Sequence, residues 1–145
     1  MLRPALFISG LLAAVAVGPE VGAQKEQGVV RFVAEGLEHP RGTVRCALFD
    51  GEDTWLEEAA GADEVPIRDG RAVCTFREVS AGVYAVGAYH DEDGDGELDR
   101  KVFGIPTEGV IFSRNAKGRM GPPKFDDAKF RFDGGRLTLR ARARY

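Results

Sequence analysis

Apolar and polar residues alternate along several short stretches of the chain, and this period of two is typical of β-strands with one buried face. Turns rich in glycine and aspartate, such as Asp50-Gly51 and Asp69-Gly70, separate most of these stretches. The predicted strands are residues 29–34, 43–49, 64–69, 71–77, 83–89, 128–132 and 137–145. A further stretch, 54–60, is compatible with a short edge strand or with one helical turn, and we favour the strand.

The fold class follows from these strands and from the lack of a convincing helical pattern between them. They predict an all-β domain, a single antiparallel β-sandwich that is immunoglobulin/transthyretin (prealbumin)-like and has seven or eight strands. Asp133-Gly134-Gly135 is interpreted as a hairpin turn, and Tyr84, which follows Gly82 into a strand, resembles the tyrosine corner of such sandwiches. The segment 103–127 has no sustained period, and irregular connections of this length usually have a function. We expect it to pack over the acidic loop Asp91–Asp99 at one end of the sandwich.

The first 23 residues have the features of a secretory signal peptide. Arg3 provides a positive charge, an apolar run follows over 5–17, and the small residues that favour cleavage end at Ala23. We therefore expect an exported domain of residues 24–145, periplasmic or extracellular, with no transmembrane span because the apolar run is too short for one. The formal net charge of −3 argues against general nucleic-acid binding.

The chain has two cysteines, Cys46 and Cys74, and both fall on the apolar phase of a predicted strand. In an oxidising compartment they could form a disulfide, and otherwise they are two small buried side chains. The sequence leaves both alternatives open, since it cannot place the two Cβ atoms within reach of each other.

The strongest chemical signal is the acidic stretch from Asp91 to Asp99, which follows the predicted strand 83–89. It matches an EF-hand-type calcium loop through position 9, with carboxylates at positions 1, 3, 5 and 9, glycine at 6 and an apolar residue at 8. The match fails at position 12, where Val102 replaces the bidentate glutamate. The predicted Ca²⁺ ligands are the carboxylates of Asp91, Asp93, Asp95 and Asp99, the carbonyl of Glu97, and Glu108, with Asp126 or Asp127 as further choices for completing the set.

Each of these assignments has a simpler alternative. The acidic stretch is also compatible with a polar turn between strands, and Glu108 with a carboxylate that accepts backbone N–H groups. His90 and Ser113 are compatible with a hydrolytic Ser-His-Asp arrangement, but no nucleophile elbow or oxyanion hole is visible. We therefore interpret His90 as an ordinary histidine at the end of a strand.

Several motifs of the second half of the chain resemble a known family. They are Gly82-Val83-Tyr84-Ala85, the acidic stretch with His90 before it, Phe103-Gly104-Ile105-Pro106, and Gly121-Pro122-Pro123. Together they resemble domain of unknown function 2141 (DUF2141), a bacterial family of exported proteins. The resemblance implies a small exported β-sandwich and supplies no biochemical activity.

These observations favour a binding module over an enzyme. We expect an exported envelope module whose long recognition loop is organised by Ca²⁺ and whose partner is an envelope component or a glycan. The alternative is a metal-independent structural or adhesion module, and a hydrolase is the remote alternative.

Overall fold

The computed structural model describes residues 14–16, 18, 26–98 and 108–145. Most of the predicted signal peptide, Asp99 and Val102 lie outside these residues, as does the beginning of the predicted irregular segment. The described part is all-β, with eight strands in two sheets and almost no helix. The strands are β1 (Gln27–Glu35), β2 (Thr43–Phe49), β3 (Gly61–Pro66), β4 (Ala72–Ser80), β5 (Gly82–Asp91), β6 (Val110–Phe112), β7 (Phe130–Phe132) and β8 (Arg136–Arg142).

The strands form two sheets, and the chain crosses from one sheet to the other several times. The first sheet has the order β4-β1-β8, and the second has the order β3-β2-β5-β6. The short β7 pairs with the beginning of β5, at Gly82–Tyr84, whereas β6 pairs with its later part, at Gly87–Tyr89. Strand β5 therefore lies in the centre of the second sheet, and its last residue is the first residue of the acidic loop.

The two sheets bury a shared apolar core. Alternate side chains of both sheets are almost fully buried in it, including Phe32 and Phe76 from the first sheet and Val44, Val86 and Ile111 from the second. At its centre Cys46 of β2 and Cys74 of β4 form a disulfide between the sheets, with their Cα atoms 6.4 Å apart. The alternative that the sequence left open is thus decided in favour of the disulfide.

Four sequence predictions about the strands were wrong. Residues 54–60 form turns and not a strand. The turn at Gly134–Gly135 does not close a hairpin, because β7 pairs with β5 while β8 pairs in parallel with β1 in the other sheet. The arrangement is therefore not purely antiparallel. Part of the predicted irregular segment is also ordered, since it contains β6, a 3₁₀ turn (Ser113–Asn115) and the one-turn helix α1 (Phe125–Ala128).

The two errors of strand pairing have a common physical reason. Alternation reports which face of a strand is buried, and it contains no information on which strand is the neighbour or on its direction. Strand β6 has only three residues, which is too short to show a period.

A second, smaller apolar cluster packs beside β5. It contains Ala85, Ala116, Phe125 and Ala128, with Trp55 and Phe112 partly buried against it. The indole of Trp55 packs at an edge angle against Phe49 and Phe125, with ring centroids 5.1 and 5.9 Å apart, and its N–H donates to the carbonyl of Pro123 at 2.8 Å. The only tryptophan therefore fixes the chain that precedes α1.

Candidate functional site

The acidic loop is anchored at its first residue, Asp91, whose side chain is fully buried. Strand pairing sets this position, because β2 lies antiparallel to β5 with Thr43 opposite Asp91 and Arg45 opposite Tyr89. The Nε atom of Arg45 donates to Oδ2 of Asp91 at 2.9 Å. The backbone N–H groups of Gly94 and Gly96 donate to Oδ1 and Oδ2, each also at 2.9 Å. Both carboxylate oxygens are therefore hydrogen-bonded within the protein.

These contacts keep Asp91 ionised. Burial raises the pKa of the Asp91 carboxyl, because it removes water from the charged form. The hydrogen bond from Arg45 and then those from Gly96 and Gly94 act in the opposite direction, and together they lower the pKa of Asp91 below its ordinary value. The buried end of the loop thus carries a negative charge next to the guanidinium of Arg45.

The next two aspartates fold the loop back toward Asp91. Oδ1 of Asp93 accepts the N–H of Asp95 at 3.1 Å, and Oδ1 of Asp95 accepts the N–H of Glu97 at 2.8 Å. As a result one oxygen from each of Asp91, Asp93 and Asp95 lies within 4.8 Å of the other two. Two oxygens on opposite sides of a Ca²⁺ ion lie about 4.6–5.2 Å apart, from Ca–O distances of about 2.3–2.6 Å. The separation of the three carboxylates is therefore compatible with one calcium ion between them.

Two further contacts hold the loop in place, one at Asp91 and one at Gly96. Gly42 has a φ of +74°, and a Cβ there would collide with the carbonyl oxygen of Asp91. Gly96, at position 6 of the loop, has a φ of +81°, and its carbonyl accepts the hydroxyl of Tyr89 at 2.8 Å. The loop is thus tied to β2, to the turn before β2 and to β5.

The other predicted ligands are placed differently. Asp99 lies outside the described residues. Glu97 is exposed, and its contact with the loop is through its N–H group. Glu108 is almost fully buried, and its Oε1 accepts the N–H of Glu92 at 3.0 Å. It does not belong to the group of three converging carboxylates, so its role as a ligand stays a prediction.

Ser113 and His90 are engaged at different points of β5. The hydroxyl of Ser113 donates to the carbonyl of Ala128 at 2.6 Å and accepts the N–H of Val86 at 2.9 Å. The His90 ring contacts the carbonyl of Arg41 and the hydroxyl of Tyr145. The described hydrogen bonds therefore do not place the two side chains together as a nucleophile and base.

A groove of about 880 Å³ lies beside the acidic loop. Its lining is mainly apolar, with Phe49, Leu56, Phe112 and Met120 among the larger side chains. Leu98 of the loop, the predicted apolar anchor, lines part of this groove. Sequence patterns could not predict the groove, because its walls come from many stretches that lie far apart in the chain.

A second cluster of possible ligands was missed by the sequence analysis. His39, His90 and Glu92 each place one ligand atom within 4.8 Å of the other two. His39 lies in the turn between β1 and β2, far from His90 in the sequence. Their only visible signal is that they are the two histidines of the chain, and no spacing rule connects them.

Comparison with known proteins identifies a family and nothing more detailed. None of the helices among the described residues is long and apolar enough to cross a membrane. Searches of the curated proteins and of the solved structures gave no match. The model of one family, described as an uncharacterized protein conserved in bacteria, matches residues 33–140, which is well over half of the chain. With the motifs that surround the acidic loop, this match means that the chain belongs to the DUF2141 family.

Proposed function

We propose that this protein is an exported envelope binding module in which the loop from Asp91 to Asp99 binds one Ca²⁺ ion. The observation that carries the proposal is the convergence of oxygens from Asp91, Asp93 and Asp95 to within 4.8 Å of one another. Carboxylates this close repel one another, and a divalent cation between them removes that cost. In the proposal the ion organises the loop, and with it the part of the groove that Leu98 lines. The partner that the module binds is an envelope component or a glycan.

Export is supported by the disulfide between Cys46 and Cys74, because disulfides are rare in reducing compartments. A single immunoglobulin/transthyretin-like sandwich is supported by the apolar core that both sheets share. It is also supported by the hydroxyl of Tyr84, which donates to the carbonyl of Ser80 at 2.7 Å as in a tyrosine corner.

The ligand set sets the expected affinity. Calcium takes six to eight oxygens, and the described aspartates with the Glu97 carbonyl provide about four of them. Water, Asp99 or Glu108 must supply the others, and the guanidinium of Arg45 lowers the negative charge of the site. We therefore expect a dissociation constant of about 10⁻⁴–10⁻³ M, in the range of extracellular calcium modules.

The test is a calorimetric titration of CaCl₂ into the chelator-treated chain, combined with thermal unfolding. Ligand binding to the folded state should increase the free energy of unfolding by about 1–3 kcal/mol at about 10 mM calcium. Asp93→Asn and Asp95→Asn should each weaken binding by about tenfold or more, because each variant loses a charged ligand.

Glu97→Gln is the matched control. It removes one negative charge from the same exposed loop, but position 7 binds calcium through its carbonyl, so its affinity should change by less than about threefold. No heat of binding and an unchanged melting temperature at about 10 mM calcium would refute the calcium proposal. Equal losses in all three variants would reduce it to nonspecific electrostatic attraction.

The second candidate function is a metal-independent structural or adhesion module. It is favoured by a specific contact, since Arg45 already supplies a cation to the buried Asp91 carboxylate. In this alternative the loop has the same structure in chelator and in calcium. Amide hydrogen exchange of residues 92–98 separates the candidates, because only the calcium module predicts slower exchange when the ion is added.

A further inference from the structure

The side chains of His39, His90 and Glu92 meet at the end of β5. His90 and Glu92 flank Asp91 at the end of β5, and His39 reaches them from the turn that precedes β2. The His90 side chain is fully buried, whereas those of His39 and Glu92 are 26% and 31% exposed. The cluster therefore combines a fixed interior ligand with two side chains that solvent can reach.

The hydrogen bonds of His90 determine which nitrogen can act as a ligand. Its Nε2 lies 2.6 Å from the carbonyl of Arg41. A carbonyl can only accept, so in the neutral ring Nε2 carries the proton and Nδ1 carries the lone pair. Metal-binding histidines are held in the same way, with the second ring N–H donated to a carbonyl or carboxylate. The ring is thus fixed as an Nδ1 ligand before any ion arrives.

The Nδ1 atom of His90 faces Glu92 and the hydroxyl of Tyr145. It lies 2.8 Å from the hydroxyl of Tyr145 and 3.8 Å from Oε1 of Glu92. The Tyr145 oxygen also accepts the N–H of Glu38 at 3.2 Å, so its own proton is available to His90. A hydroxyl therefore occupies the lone pair of Nδ1 in the absence of an ion, and a cation would displace it.

His39 contributes the second ring nitrogen of the cluster. Its Nε2 lies 2.9 Å from Oε1 of Glu92, and its ring lies beside that of His90 with centroids 4.9 Å apart. Its Nδ1 atom is buried, and among the described residues it has no hydrogen-bond partner. It lies across the ring from Nε2, so Nε2 is the nitrogen that faces Glu92 and would bind an ion.

The geometry points to a site for a divalent transition-metal ion of the zinc type, bound by His39, His90 and Glu92. Two imidazoles and a carboxylate are the donors that Zn²⁺ prefers, whereas Ca²⁺ prefers oxygen alone. Tetrahedral ligands at Zn–N distances of about 2.0–2.1 Å lie about 3.3 Å apart. The observed separations from Glu92, 2.9 Å to His39 and 3.8 Å to His90, bracket that value. Three protein ligands leave one position of the ion for water or another small ligand.

This site is separate from the proposed calcium loop, although both begin at the end of β5. The calcium ligands are oxygens of Asp91, Asp93 and Asp95, and none of them belongs to the histidine cluster. The two proposals can therefore fail independently. Zinc binding should survive Asp93→Asn, and calcium binding should survive His39→Ala.

The test uses the full chain with its disulfide formed and without a histidine tag, because the only two histidines of the chain are those of the site. Zn²⁺ is titrated by calorimetry, and Co²⁺ replaces it as a spectroscopic probe. We expect one ion per chain and the intense visible absorption of four-coordinate Co²⁺. His39→Ala and Glu92→Gln should each weaken binding by about tenfold or more.

Glu38→Gln is the matched control, since it removes one carboxylate next to the site that does not belong to the cluster. Its zinc affinity should change by less than about threefold. The ring nitrogens of the two histidines give a second measurement, because zinc should shift the ¹⁵N resonance of Nδ1 of His90 while Nε2 keeps its proton. Unchanged affinity in His39→Ala and Glu92→Gln, or unchanged nitrogen resonances at saturating zinc, would overturn the inference.

Discussion

At the scale of single residues, Arg45 compensates part of the negative charge of the acidic loop. Its guanidinium hydrogen-bonds to the buried carboxylate of Asp91 and reaches Glu64 with its other end, 3.1 Å away. Without an ion, this cation compensates the charge at the buried end of the loop. With an ion, the same positive charge repels it. The two candidate functions therefore differ in what they predict for calcium affinity when Arg45 is removed.

We expect Arg45→Gln to lower the melting temperature in chelator, because the buried Asp91 loses its charged partner. If the loop binds calcium, the same substitution should raise calcium affinity by about three- to tenfold, because it removes a nearby positive charge. Thermal unfolding and calorimetry, each with and without calcium, measure both effects. Arg45→Lys keeps the charge and is the control for affinity. The metal-independent module would be favoured if Arg45→Gln lowers the melting temperature and added calcium neither binds to nor stabilises either variant.

At the scale of elements, β5 connects the fold to the candidate sites. Its first residues pair with β7, and its third residue, Tyr84, closes a corner on the carbonyl of Ser80. Its last residues, His90 and Asp91, belong to the two groups of side chains that we propose as metal sites. A change at the beginning of the strand therefore tests the stability of the fold without touching either site.

The Tyr84 corner should make the free energy of unfolding decrease at alkaline pH. Burial raises the pKa of the Tyr84 hydroxyl, and the nearby charge of Asp50 adds to this effect. A raised pKa in the folded state contributes stability that is fully present below the ordinary value near 10 and is lost as pH rises through the raised pKa. Tyr84→Phe should lower the free energy of unfolding at neutral pH by about 1 kcal/mol, the value of one hydrogen bond.

The same variant should also lose less stability above about pH 10, because the group that titrates there is absent. Urea unfolding from neutral to alkaline pH measures both effects. Tyr89→Phe is a useful comparison, since burial raises the pKa of Tyr89 too but its hydroxyl donates to the acidic loop. If the free energy of unfolding of Tyr84→Phe falls above about pH 10 as steeply as that of the unchanged protein, the Tyr84 hydroxyl does not cause the alkaline loss of stability.

At the scale of the whole molecule, the sequence predicted local structure better than it predicted neighbours. The alternating stretches became β1, β2, β4, β5 and β8, because a half-buried strand leaves its period in the sequence. The parallel contact of β8 with β1 and the failure of the Gly134–Gly135 turn to close a hairpin left no such trace. They depend on which sheet has a free edge, and that is a property of the assembled fold.

The same distinction applies to the candidate sites. The oxygens of Asp91, Asp93 and Asp95 converge as their spacing predicted, because a loop with a glycine at position 6 brings alternate side chains to one point. The contact of Arg45 with Asp91 depends on strand register, and the meeting of His39 with His90 depends on a turn that lies distant in sequence. Contacts of this kind become visible only when the sheet is assembled.

The disulfide is the covalent bond that joins the two sheets, and its effect should be global. Cys46 and Cys74 are separated by 28 residues, and closing a loop of that length stabilises by about 3–4 kcal/mol, mainly through the unfolded state. We expect the double variant Cys46→Ala, Cys74→Ala to lose a free energy of unfolding of this size in urea. If the loop binds calcium, the increase in melting temperature on adding calcium should remain, because β2 and β5, which hold the loop, lie in one sheet. Reduced unaltered protein is the control and should match the variant. If removing both sulfurs changes nothing, apolar packing is sufficient to hold the two sheets together, and the disulfide does not contribute to the free energy of unfolding.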